Sequence, residues 1–114
     1  MILLYKTHDG KKAALMLNSH FISYADKDAQ YESMDALKTL ADNIATALME
    51  PLHTVNLPEI KMSETSGQSW MFSQIHNTLS ETDPAIRMRG LRTYFGTDPS
   101  VLQGAEALHS IVIK

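Results

Sequence analysis

Cysteine is absent from the 114 residues. With it go disulfides, thiolate metal ligands, cysteine nucleophiles and thiol redox switching. Long apolar runs are missing too, since no segment nears the roughly 18 residues that a membrane-spanning helix needs. The opening Met1-Ile2-Leu3-Leu4-Tyr5-Lys6 is too short an apolar run for a signal peptide and has no basic leader. The chain therefore reads as complete, soluble and cytoplasmic, with no membrane partner. A net charge of −3 and 20% charged residues imply no strongly polyanion-binding character overall. A hydrophobic content of 44% excludes disorder, and the length fits one α+β domain spanning residues 1–114.

Glycine and proline are sparse, at five and four, and the phosphate-cradling loops built from glycine are missing. Neither G-x-x-x-x-G-K-[ST] nor G-x-G-x-x-G occurs. Gly67-Gln68-Ser69-Trp70-Met71 begins like a nucleophile elbow but lacks the second glycine and a preceding strand, so Ser69 reads as a helix cap. Five histidines, His8, His20, His53, His76 and His109, are spread too widely to share a helical turn, and H-E-x-x-H is absent. His53 and His109 would meet only if their strands were neighbours. Asp26, Asp28 and Glu32 suggest a calcium loop, but Tyr31 stands where glycine is needed and Leu37 where the closing glutamate is needed. The expectation is no catalytic constellation, no metal and no cofactor.

What is present is pattern. Ile2–Tyr5 and Ala13–Leu17 are apolar runs either side of Asp9-Gly10, and Asp-Gly signals a two-residue type I′ hairpin. That turn sets Tyr5 opposite Ala14 and Leu3 opposite Met16. A helix across Lys11–Phe21 competes, because Ala-Ala-Leu-Met-Leu is good helix material; the hairpin is preferred. Phe21–Tyr24 follows as a third strand after Asn18-Ser19, then a polar loop over Asp26–Glu32. Met34, Leu37, Ala41, Ile44 and Leu48 make one apolar stripe at helical spacing, with Ser33 as cap and Pro51 closing the helix. Leu52–Leu57 reads as a strand and Glu59–Gln68 as a connector. A helix carrying Trp70, Phe72, Ile75, His76 and Leu79 comes next.

Asp83-Pro84 starts a further helix that Gly96 stops, and Thr97-Asp98-Pro99 repeats the start signal. Leu108, Ile111, Val112 and Ile113 read as a closing strand that rejoins the sheet. The expected order is βββαβααβ, a small, mainly antiparallel sheet with helices packed on it.

One local feature has a direction. Residues 85–97 carry Arg87, Arg89 and Arg92 and no acid, inside an acidic chain. Arg89 and Arg92 flank one side of an apolar stripe of Met88, Leu91 and Phe95, and Arg87 flanks the other. The plainer account is a packed helix with arginines solvated or paired internally. The functional account is a cationic contact helix. Trp70 and Phe72 offer aromatic anchors for the same role if they reach the surface, although large apolar side chains usually go inside.

The favoured reading is a small non-enzymatic binding protein, a regulator, inhibitor or accessory factor, docking on a protein partner through Arg87, Arg89, Arg92, Trp70 and Phe72. A nucleic-acid-binding protein using Arg87–Arg92 is the alternative, and a small histidine-dependent enzyme the second alternative. A homodimer through an edge strand or the Met34–Leu48 helix is a further option left open.

Overall fold

The computed structural model describes residues 1–27, 34–61 and 68–113. The polar stretch from Asp28 to Ser33 and the heart of the connector, with Ser63, Thr65, Ser66 and Gly67, lie outside the described residues, as does the side chain of Ser69. The chain divides into two compact units, Met1–Asn56 and Leu57–Lys114. The class is α+β.

The first unit holds β1 (Ile2–Lys6), β2 (Lys12–Leu17), β3 (His20–Asp26), α1 (Met34–Leu48) and β4 (Leu52–Asn56). Its sheet has the order β3-β2-β1-β4. The β1–β2 register pairs Tyr5 with Ala14 and Leu3 with Met16, as the Asp-Gly turn implied. The turn itself is of a different type. Only Gly10 has positive φ, at 73°, and its N–H donates to Thr7 O at 3.0 Å. This is a tight turn over Thr7–Gly10 inside a longer loop, further tied by Asp9, whose carboxylate accepts from Thr7 Oγ1 at 2.8 Å and Lys11 N at 3.0 Å. The register survives because the loop is lengthened equally on both sides. Two consecutive left-handed residues, the type I′ signature, occur instead at Asn18 (φ 48°) and Ser19 (φ 70°), between β2 and β3. Beyond this turn the β2–β3 pairing slips between Leu15 and Met16, leaving Ile22 as a bulged residue on the edge strand.

β4 pairs with β1 in parallel. Parallel pairing demands a crossover, and α1 supplies it by carrying the chain back along the sheet. Alternation along β1 and β2 puts Ile2, Leu4, Ala13 and Leu15 on the face that meets Leu37 and Ala41 of α1. Met34, Leu40, Ile44, Ala45, Leu17 and Leu52 complete that layer. Each large aliphatic side chain buried there contributes about 1.5–3 kcal/mol. Leu48, the last residue of the expected stripe, stays half exposed at 48%. The other sheet face carries Leu3, Tyr5, Ala14, Met16 and Val55, apolar as well.

The second unit holds α2 (Gln68–Ser80), α3 (Pro84–Phe95), α4 (Pro99–Ala107) and α5 (His109–Val112). Both Asp-Pro signals start helices. Asp83 Oδ1 accepts from Ala85 N at 2.9 Å, and Asp98 Oδ1 accepts from Ser100 N at 2.9 Å. Gly96 ends α3, its N–H donating to Arg92 O at 3.1 Å. The expected closing strand is instead α5. Leu108 keeps right-handed helical backbone (φ −70°, ψ −20°), so the chain continues from α4 with one break and never extends toward a sheet. His109 anchors the segment, its Nδ1 2.5 Å from Leu79 O of α2. The β-branched Ile111, Val112 and Ile113 are overruled by this tertiary placement.

Among the described residues no helix is long and apolar enough to cross a membrane.

Candidate docking ridge on the helical unit

α3 buries Arg87, Leu91, Tyr94 and Phe95. That inward stripe keeps Leu91 and Phe95 of the expected one, with Arg87 in place of Met88, which is only half-buried. Arg87 points inward and is only 6% exposed. Its Nε and Nη2 donate to Glu106 Oε1 of α4 at 2.8 and 2.5 Å, and its Nη1 donates to Glu81 O at 2.5 Å. The hydrogen bond to the Glu106 carboxylate holds the Arg87 pKa above its ordinary value, outweighing the burial that works against the charge. Arg87 thus fastens α3 to α4.

Arg89 and Arg92 point outward. Both are exposed, and among the described residues neither enters an ion pair or a side-chain hydrogen bond. Three residues apart on a helix, they stand side by side on a ridge. A groove runs along each flank of that ridge. The one toward α2 is lined by Asn77, Thr78, Glu81, Ile86, Arg89, Gly90 and Thr93 and encloses about 380 Å³. The one toward α4 is lined by Met88, Arg92, Thr97, Pro99, Leu102, Gln103 and Glu106 and encloses about 470 Å³. Ile86, in the wall of the first groove, is 50% exposed.

Trp70 and Phe72 separate. Trp70 is 42% exposed, whereas Phe72 is fully buried. Helical spacing aligns Trp70 with the exposed Gln74 and Asn77, and Asn77 lines the groove that Arg89 also lines. Gln74 Oε1 accepts from Tyr94 Oη at 2.6 Å, tying that stripe to α3. The surface therefore comprises Arg89, Arg92 and Trp70 from the expected set, with Arg87 and Phe72 in the interior. Ile86, Gln103, Leu102 and Glu106 were not visible as site residues. Ile86 lies off the expected stripe, and Glu106 is 19 residues from the arginine it pairs with.

The histidines do not build a site on this unit. His76 is buried and His109 is held by Leu79 O, and neither lines either groove. His109 belongs to a helix, so it is not the strand neighbour of His53 that a shared site required. Among the described residues no group of three or more His, Asp or Glu could hold a metal ion.

Comparison with known protein families, with curated proteins and with solved structures found no match.

Proposed function

We propose that the chain is a non-enzymatic docking protein whose helical unit engages a protein partner through the α3 ridge. The supporting observation is that Arg89 and Arg92 are exposed and without side-chain partners among the described residues, on a ridge between two grooves that carry apolar side chains. An exposed arginine beside apolar surface is a common anchor of protein interfaces. The same observation argues against a nucleic-acid partner. Two outward arginines would neutralise about two phosphates, far fewer than the 6–10 that give strong salt-dependent affinity. Each groove also contains a carboxylate, Glu81 or Glu106, which repels a polyanion.

The test is site-specific photo-cross-linking in the cells of origin, with a benzophenone amino acid at Ile86 of the full chain. A discrete protein adduct that disappears in the Arg89→Glu/Arg92→Glu variant supports the reading. An adduct indifferent to the charge reversal, or none, overturns it. A gel shift with single- or double-stranded nucleic acid at low salt, abolished by the same variant, would transfer the ridge to the alternative partner class.

A further inference from the structure

The chain has no cysteine but seven methionines. With thiols absent, the thioether is the side chain an oxidant attacks most readily, and burial decides which sulfur it reaches. Met16 and Met71 are buried, and Met1, Met34 and Met88 are half-buried. Met49, by contrast, is 92% exposed. It lies just past α1, where the helix is capped by main-chain groups alone: Met49 N–H donates to Thr46 O and Glu50 N–H to Ala45 O. Neither that cap nor the layer packed beneath α1 uses the Met49 side chain. Leu48 beside it is half exposed, so the end of α1 presents two apolar side chains to water.

We propose that Met49 is a site of reversible oxidation by hydroperoxides, modified ahead of Met1, Met16, Met34, Met71 and Met88 and without loss of the fold. A lone pair on Sδ attacks the terminal peroxide oxygen and the O–O bond breaks. The proton of the transferred oxygen passes to the departing one, which leaves as water or an alcohol. Sulfur is oxidised by two electrons and the peroxide reduced by two. The product is a sulfoxide, which turns an apolar tip at the end of α1 into a polar acceptor. Reversal takes a methionine sulfoxide reductase and thiol reductant, which remove the oxygen as water and end as a disulfide. Those thiols come from outside, since this chain has none. A buried sulfur meets oxidant or reductase only when its surroundings open, so its rate falls with the rarity of opening. Met49 needs no opening.

The test treats the full-length, folded chain with hydrogen peroxide at neutral pH and follows each methionine by peptide mass spectrometry. Met49 should gain oxygen on the order of tenfold faster than Met16 and Met71, and ahead of Met1, Met34 and Met88. Protein oxidised at Met49 should keep the thermal midpoint of the untreated chain. Reductases for both sulfoxide epimers, with dithiothreitol, should return Met49 to the thioether. Reaction of Met16 or Met71 at the rate of Met49 overturns the assignment, as does earlier reaction of Met1, Met34 or Met88. A lowered midpoint for protein oxidised at Met49 alone, or a Met49 sulfoxide that the reductases leave in place, overturns it as well.

Discussion

Arg87 and Glu106 close an ion pair across α3 and α4, two guanidinium nitrogens converging on one carboxylate oxygen at 2.8 and 2.5 Å. The other oxygen, Oε2, is buried and accepts no hydrogen bond among the described residues. Removing one partner of such a pair leaves its mate uncompensated. Arg87→Ala should destabilise the protein by about 3 kcal/mol, the low end for a broken buried pair. The low end applies because the Glu106 side chain is 33% exposed and can turn toward water. Arg87→Met combined with Glu106→Leu should recover most of that loss, since neither charge is then stranded. Urea unfolding of the single and double variants measures both.

Gly90 is required by proximity. A β-carbon at this position would lie 2.5 Å from Thr78 Cγ2 of α2. Alanine is the better helix former, yet Gly90→Ala should destabilise by about 1–3 kcal/mol, as overpacking does. Thr78→Ala in the same chain removes the offending methyl and should restore stability toward that of Thr78→Ala alone. A double-mutant cycle reads the coupling.

Met49 occupies left-handed backbone (φ 54°) just past α1 and is 92% exposed. Its N–H donates to Thr46 O at 3.2 Å and that of Glu50 to Ala45 O at 3.1 Å, the paired bonds of a Schellman cap. Glycine is the usual residue there because a β-carbon is strained at this φ. Met49→Gly should stabilise by about 1 kcal/mol, seen as a higher denaturation midpoint at unchanged slope.

His76 is 3% exposed, and burial lowers its pKa below the ordinary histidine value. Its proton therefore binds more readily to the unfolded chain. The contribution to stability is complete above the unfolded value of about 6.5 and is lost as pH falls from there toward the lowered folded value. Unfolding free energy measured from pH 7.5 to pH 5 should decline. The decline should be shallower in His76→Gln, whatever that variant's stability at pH 7.5.

Arg89 and Arg92 should matter little to the fold. Arg89→Glu and Arg92→Glu should each change stability by less than about 1 kcal/mol, the scale of an exposed charge near a helix C-terminus. A larger loss at either position in thermal melts would mean that the outward arginines serve the fold, and the ridge would lose its case as a docking surface.

The most legible parts of the molecule rest on contacts between near neighbours. Asp83-Pro84 and Asp98-Pro99 start helices because a short carboxylate can reach an amide N–H two residues on. The β1–β2 register follows from a short loop and strict alternation, so it held even though the turn adopted another conformation. The Met34–Ile44 stripe met the sheet for the same reason. In the candidate site the sequence left open which side chains reach the surface: the fold exposes Arg89, Arg92 and Trp70 and buries Arg87 and Phe72. Arg87 looked no different in sequence, and only the position of α4 turns it inward.

Local chemistry, then, determined the class, the hairpin register, the caps and a cationic helix, because each rests on groups a few bonds or a few residues apart. Tertiary structure decided three things that no short window contains. β4 runs parallel to β1 because α1 returns the chain along the sheet. Ile111–Ile113 lie at a helical end because α4 continues past Leu108 and His109 finds Leu79. Arg87 is interior while Arg89 and Arg92 are exterior because Glu106, 19 residues away, supplies the countercharge for only one of them.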